Sequence, residues 1–245
     1  MNCKLISPHI PFIRRMDEWL TPAFPDWFKH LPSTKDKFDY DAMSFEKNVK
    51  TCPSFVRLFK NSYLFRAPED VMFSSPEKGS KVITAAGEAP YPFQSVSSSD
   101  MNKKMNPAFS ETHANILFTY QFKLVADEPT EMVFLDPCYH LDRKSELMTM
   151  TGTMQLNPDL YMPIGLNMML PYTAFDDKHE CFIRRGQPLA YFYFPNGKPT
   201  IDPVECTKDE WDLEYGYYRT VFQGNWTQEM HKVVTKERES SDERG

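Results

Sequence analysis

His140-Leu141-Asp142 is the pattern in this chain that comes nearest to a metal-binding constellation. On a strand the side-chain period of two puts His140 and Asp142 on one face. A distant histidine, His179 or His231, would complete the facial triad that leaves open positions on iron for 2-oxoglutarate and oxygen. Arg184 or Arg185 would hold the oxoacid carboxylate through a bidentate contact. In this alternative reading the chain is a non-haem Fe(II)/2-oxoglutarate-type oxygenase with His140, Asp142 and His179 as metal ligands. The surrounding run, residues 136 to 146, is polar and loop-like, and an ordinary structural role for the pair is the simpler reading.

Other reactive residue types are less organised. Cys52 stands at an expected helix N-terminus, where the partial positive charge favours a thiolate, but no partner histidine is close in sequence and a small buried hydrophobe is the plainer role. Gly186-Gln187-Pro188-Leu189 has a faint likeness to the strand corner of β-clip nucleotide hydrolases, without the Asp and Ser set such enzymes need around metal-bound phosphates. The chain contains no G-x-S-x-G, P-loop or dinucleotide-binding fingerprint. No catalytic residue and no cofactor is therefore expected.

Aromatic residues offer a different chemistry, that of binding. Between residues 1 and 40, Phe12, Trp19, Phe24, Trp27 and Phe28 alternate with Pro8, Pro11, Pro22, Pro25 and Pro32. Such a strip cannot form one long helix and is too apolar to stay in water. It must cover either its own body, which is the plainer destination, or a neighbouring subunit; in the second case those five aromatics are an interaction arm. The fourteen methionines, including Met148, Met150, Met154, Met162, Met168 and Met169, are adaptable surface or, more simply, core filler.

Composition bounds the partners. The chain has 245 residues and a formal charge of −6, so its basic clusters, Lys103-Lys104 and Arg184-Arg185, are local and nucleic acid is not an expected partner. Five cysteines without a C-x-x-C pair suggest reduced thiols and no structural zinc. No stretch approaches the roughly 18 to 20 apolar residues of a membrane span, and the N-terminus lacks a secretory h-region, so no membrane association is expected and the sequon at Asn225 is a chance match.

Twenty prolines against nine glycines exclude a helical bundle and favour short strands. Helical turns are predicted at Asp26 to Leu31, from Ser44 to Cys52, and from Pro53 to Asn61. Strands are predicted around residues 63–65, 71–73, 81–84, 131–135, 147–154, 164–170, 181–184 and 189–194. A single long strand over 115–125 would turn Phe118, Tyr120, Phe122 and Leu124 to one face. Residues 87 to 112 read as a long loop. Arg184 to Phe194 reads as two strands bent at a glycine corner. Thr207 and Glu210 form a capping-box pair opening a helical C-terminus, with a further helix over 227–237 and a charged tail. The class is mainly β (α+β), an antiparallel β-sandwich of jelly-roll type with short helices near 44–61. It divides into an extended arm at 1–40, a β-sandwich domain at 41–206 and a helical segment at 207–245.

Several stretches resemble an uncharacterised family of tailed bacteriophages. These are Lys50-Thr51-Cys52-Pro53-Ser54-Phe55, Leu58 to Tyr63 with Asp70, Phe24 to Phe28, Pro129 to Phe134 and Asp136-Pro137, Thr151 to Met154, Met162-Pro163, and Arg185-Gly186-Gln187-Pro188-Leu189-Ala190-Tyr191. The resemblance implies a phage-encoded β-rich protein, located in the virion or the host bacterial cytoplasm, with no established activity to carry over. The expectation is a non-enzymatic virion structural or accessory component that binds other protein subunits, its own copies or virion proteins, and works as an oligomer or as part of an assembly. A small-ligand-binding inhibitor of host defence is a further alternative.

Overall fold

The computed structural model describes residues 1–31, 38–39, 44–45, 49–74, 84–87, 112–140, 147–156, 164–178 and 180–213. These residues are mostly β, in several antiparallel sheets with short helices. The largest sheet has five strands in the order β12 (Gly152–Leu156), β10 (Thr130–Leu135), β15 (Pro188–Tyr193), β5 (Ser62–Arg66) and β2 (Leu20–Pro22). Beside it are β16 (Thr200–Glu205), β1 (Asn2–Ser7) and β9 (Lys123–Ala126) in one sheet. A second three-stranded sheet holds β11 (Met148–Thr149), β13 (Gly165–Pro171) and β8 (His113–Thr119). A third holds β14 (Glu180–Ile183), β6 (Val71–Ser74) and β7 (Thr84–Gly87), and β3 (Phe38–Asp39) pairs with β4 (Ser44–Phe45).

Proline placement follows from the missing N–H. Pro22 lies on edge strand β2 and Pro203 on edge strand β16, while Pro188 begins the central β15. The run Leu189 to Phe194 is apolar without alternation because β15 is covered on both faces. Ala190 and Phe192 face the main core, where Phe192 stacks on Phe65 at 5.1 Å and meets Phe134 edge-on at 5.4 Å. Tyr191 and Leu64 face the other way, into a second cluster with Phe28 and Phe59.

That second layer is built by α3 (Asp26–His30) and α4 (Pro53–Lys60). Pro53 sits at the start of α4, where its absent N–H costs no helical bond, and Phe55, Val56 and Phe59 turn toward the sheet. The helix expected from Ser44 does not form. Ser44–Phe45 is instead a short strand, and among the described residues a 3-10 turn, Val49–Thr51, precedes α4. Pairing with Phe38–Asp39 takes Ser44–Phe45 into a strand, and Pro53 holds Cys52 extended at φ −84, ψ 109, which separates the turn from α4.

Residues 1 to 31 are part of the body. β1 is the middle strand of its sheet, parallel to β16 and antiparallel to β9, with Cys3, Leu5 and Ser7 turned inward. Two short helices follow, α1 (Ile10–Arg14) and α2 (Met16–Trp19). Phe12 and Trp19 stack at 4.1 Å and both meet Phe122 of the main core, at 5.5 and 5.4 Å. Cys3, Leu5, Ile13, Trp19 and Leu20 therefore share the main core with the strands that follow, and Ala23 and Phe28 share the second cluster with them.

The long strand over 115–125 is two strands. β8 pairs with β13, β9 pairs with β1, and the chain changes sheets at Tyr120 to Phe122. Tyr120, Phe122 and Leu124 are buried together, so the face was legible although the continuity was not. The stretch 147–154 likewise divides between β11 and β12, which belong to different sheets. At the C-terminal end Thr207 and Glu210 form the expected reciprocal cap, Glu210 N–H to Thr207 Oγ1 at 3.2 Å and Thr207 N–H to Glu210 Oε2 at 2.7 Å, over helical residues 208–213. The expected loop core at 88–111 and helix at 227–237 lie outside the described residues.

Candidate functional site

The chain passes from β2 to α3 through Ala23, Phe24 and Pro25, and Pro25 precedes the helix in an extended conformation, φ −64, ψ 152. Phe28, buried on the inner side of α3, meets Phe24 at 5.4 Å and Phe59 at 5.3 Å. Trp27 points elsewhere: its indole N–H donates to the carbonyl oxygen of Tyr139 at 2.6 Å. The next residue returns the contact. His140, only 5% exposed, places Nε2 at 3.2 Å from the carbonyl oxygen of Ala23. A carbonyl only accepts, so Nε2 carries the proton. The two bonds clasp residues 23–27 to the turn at 137–140, where His140 N–H donates to Pro137 O at 3.0 Å. Ring contacts of Tyr139 with Phe55 at 5.0 Å and of His140 with Tyr191 at 5.6 Å fix the turn to the second cluster.

Beside this clasp is a cleft of about 470 Å³, lined by Thr21, Pro22, Phe24, Pro25, Asp26, Trp27, Lys29, Arg66 and His140. The size is that of a small-ligand or side-chain pocket. Arg66, at the end of β5, donates from Nη1 to Gly186 O at 2.8 Å and from Nε to Thr21 Oγ1 at 3.4 Å, which orients its guanidinium plane. Lys29 Nζ pairs with Asp26 at 2.8 Å. The hydrogen bond from Lys29, then its charge, holds the Asp26 carboxyl below the usual carboxylate value; the charges of His30 and Arg66 act in the same direction.

The carbonyl that anchors Arg66 belongs to the glycine corner expected at 186. Gly186 has φ +82, and the backbone closes on itself through Gly186 N–H to Ala67 O at 2.7 Å and Ala67 N–H to Gln187 O at 2.8 Å. Asp70 buttresses the corner, accepting from Arg185 N–H at 2.7 Å and from Arg184 Nη1 at 3.2 Å. These two arginines are thus engaged with Asp70, and Arg185 also with Glu18.

The residues singled out in the sequence divide accordingly. Phe24, Trp27 and His140, taken there as parts of two unrelated readings, line one cleft, and Phe28 packs against Phe24 in the second cluster. Phe12 and Trp19 lie in the main core, away from it. Asp142 and His179 lie outside the described residues. Among the described residues no group of three or more His, Cys, Asp and Glu side chains could hold a metal ion. With Nε2 directed at Ala23 O, a metal could reach the His140 ring only at Nδ1. Sequence reasoning missed Arg66, Lys29, Asp26 and Thr21 as site residues: they carry no motif, and although Asp26 and Lys29 pair across one turn of α3, Arg66 reaches them only because β2 pairs with β5.

The arrangement sets an apolar wall, Phe24 and Trp27, beside the Lys29–Asp26 ion pair and the braced guanidinium of Arg66. No protein-family model and no curated protein matches this chain.

Proposed function

We propose that this chain is a non-enzymatic protein of a tailed bacteriophage, a structural or accessory component of the virion, and that it works by binding another protein subunit at the Trp27 cleft. The observation that carries the reading is the clasp. Trp27→Tyr139 O and His140→Ala23 O hold the aromatic wall in place before any partner arrives. Pre-ordering of this kind avoids an entropy cost of about 0.5–1.5 kcal/mol per immobilised side chain. Tryptophan and arginine are also the residue types that most often anchor protein interfaces. The phage setting rests on the resemblance of residues 50–63 and 185–191. Location in the virion or the host cytoplasm follows from the same reading, and among the described residues no helix is long and apolar enough to cross a membrane.

The test is incorporation. In particles of the encoding phage purified by density gradient, mass spectrometry should detect the chain at fixed stoichiometry. A Trp27→Ala variant that keeps its circular dichroism spectrum should be lost from the particles. Absence of the wild-type chain from particles, together with a monomeric mass by light scattering at all concentrations, would overturn the reading.

A further inference from the structure

β12 ends the five-stranded sheet on one side, and its register against β10 runs unbroken from Thr130↔Leu156 to Phe134↔Gly152. In an antiparallel strand every second residue turns its N–H and C=O away from the partner. Among the described residues no backbone group bonds to those outward donors and acceptors of β12. β9 passes near but pairs with β1. Such an edge is a template for another strand, and proteins ordinarily blunt it with proline, charge or a bulge. The sheet's other edge is blunted in this way: β2 has three residues and ends in Pro22. β16, an edge of the neighbouring sheet, carries Asp202, Pro203 and Glu205. β12, Gly-Thr-Met-Gln-Leu, has no proline, no charge and no bulge.

The side chains of β12 select what pairs with it. Thr153 and Gln155 are exposed on one face, while Met154 packs against the main core and Leu156 is buried on the other. An antiparallel second copy, related by a two-fold axis at Met154, sets Thr153 opposite Gln155 of that copy, and the two-fold repeats the pair. It also sets Met154 opposite its counterpart and Gly152 opposite Leu156. Each threonine hydroxyl then meets a glutamine amide, and the two methionines continue the core of one molecule toward the other. A chain of formal charge −6 repels its copies in general; an uncharged strand adds nothing to that repulsion.

We propose that β12 is a self-association edge: two copies of this chain pair antiparallel through residues 152–156 about a two-fold axis at Met154, joining their five-stranded sheets into one continuous sheet. The interface is separate from the Trp27 cleft and does not depend on it. Five residues a side are far fewer than the roughly 20–30 of a standard interface, so the dimer is weak and concentration-dependent.

Light scattering across a dilution series of the full chain should show the mass rising with concentration toward twice that of the monomer. Hydrogen exchange should slow in residues 152–156 at the concentrated end of the series. Two double variants test the register. T153K/Q155K sets lysine opposite lysine at both cross-pairs and should weaken the dimer several-fold, although it makes the chain less acidic. T153E/Q155K sets glutamate opposite lysine at both, and its new lysine also faces Glu131 on β10, so the dimer should be retained or tightened. Circular dichroism checks that the variants fold; if one does not, the concentration-dependent exchange of the unaltered chain decides. A chain that stays monomeric throughout, equal dimerisation of the two variants, or slowed exchange elsewhere and not at 152–156 overturns the proposal. Trp27→Ala should leave the dimer intact. If it abolishes the dimer while T153K/Q155K does not, self-association belongs to the cleft, and the β12 proposal falls while the reading of the cleft stands.

Discussion

Trp27 and Tyr139, 112 residues apart in the chain, are joined by a 2.6 Å hydrogen bond from the indole N–H to the backbone carbonyl. The adjacent His140 answers with its own bond to Ala23, so one short helix and one turn hold each other by side chains reaching for backbone. Trp27→Phe keeps the ring and removes the donor. It should lower stability by about 1 kcal/mol. Urea denaturation checks this: the midpoint falls, and an unchanged slope shows that the denatured state is the same.

Gly186 should be intolerant for a purely conformational reason. Its φ is +82, and nothing lies within 4 Å of where a Cβ would stand. Gly186→Ala therefore costs the left-handed backbone penalty alone, about 1–2 kcal/mol. Gly186→Asn should cost less, because asparagine tolerates that region. Thermal melts of the two variants give the ordering, and the reverse order would show that contact rather than backbone decides the site.

Acid should loosen the N-terminal helices through His9. Its Nδ1 accepts the Phe12 N–H at 3.2 Å and caps α1, which requires an unprotonated nitrogen. Burial first, and the charge of Arg15 second, lower its pKa from the ordinary 6.5. The unfolded chain thus takes up the proton before the folded chain does as pH falls. The stabilisation from neutral His9 is complete above 6.5 and is lost progressively below it. His9→Asn, which keeps an acceptor that does not titrate, should flatten the dependence of the urea midpoint between about pH 7.5 and about pH 5.5.

The five cysteines, none in a disulfide, should separate by reactivity. Cys138 is exposed, whereas Cys3 and Cys181 are buried. Burial, with the Asp127 charge adding and the N-terminal ammonium opposing, pushes the Cys3 thiol up to about 11. Iodoacetamide applied to the native protein should modify Cys138 first and leave Cys3 and Cys181 until denaturant is added, as peptide mass spectrometry will show. Early labelling of Cys3 would mean that β1 detaches from its sheet.

That strand also changes how the N-terminal region can be probed. Deleting residues 1 to 32 would remove the middle strand of one sheet and the edge strand β2 of another, so point substitutions such as Trp27→Ala are the informative variants.

Local chemistry was legible in the sequence wherever neighbours alone settle it. The start of α4 at Pro53, the glycine corner at Gly186 and the Thr207–Glu210 cap depend on residues a few positions apart, and so does the β character of 130–135, 165–171 and 188–193. Strand assignment to sheets was not legible, because an apolar strand is compatible with any partner. Tyr120, Phe122 and Leu124 were rightly placed on one buried face, yet only pairing with β13 on one side and β1 on the other divides that stretch between two sheets. The aromatic strip at 1–31 showed that it must be covered, but periodicity does not say by what. Tertiary structure decided that, inserting β1 between β16 and β9. The cleft depends on the same kind of information: Arg66, Asp26, Lys29 and His140 meet because β2 pairs with β5 and because Trp27 reaches Tyr139. Sequence determines which residues must be buried, bent or capped; the closing of distant segments on one another determines which of them share a site.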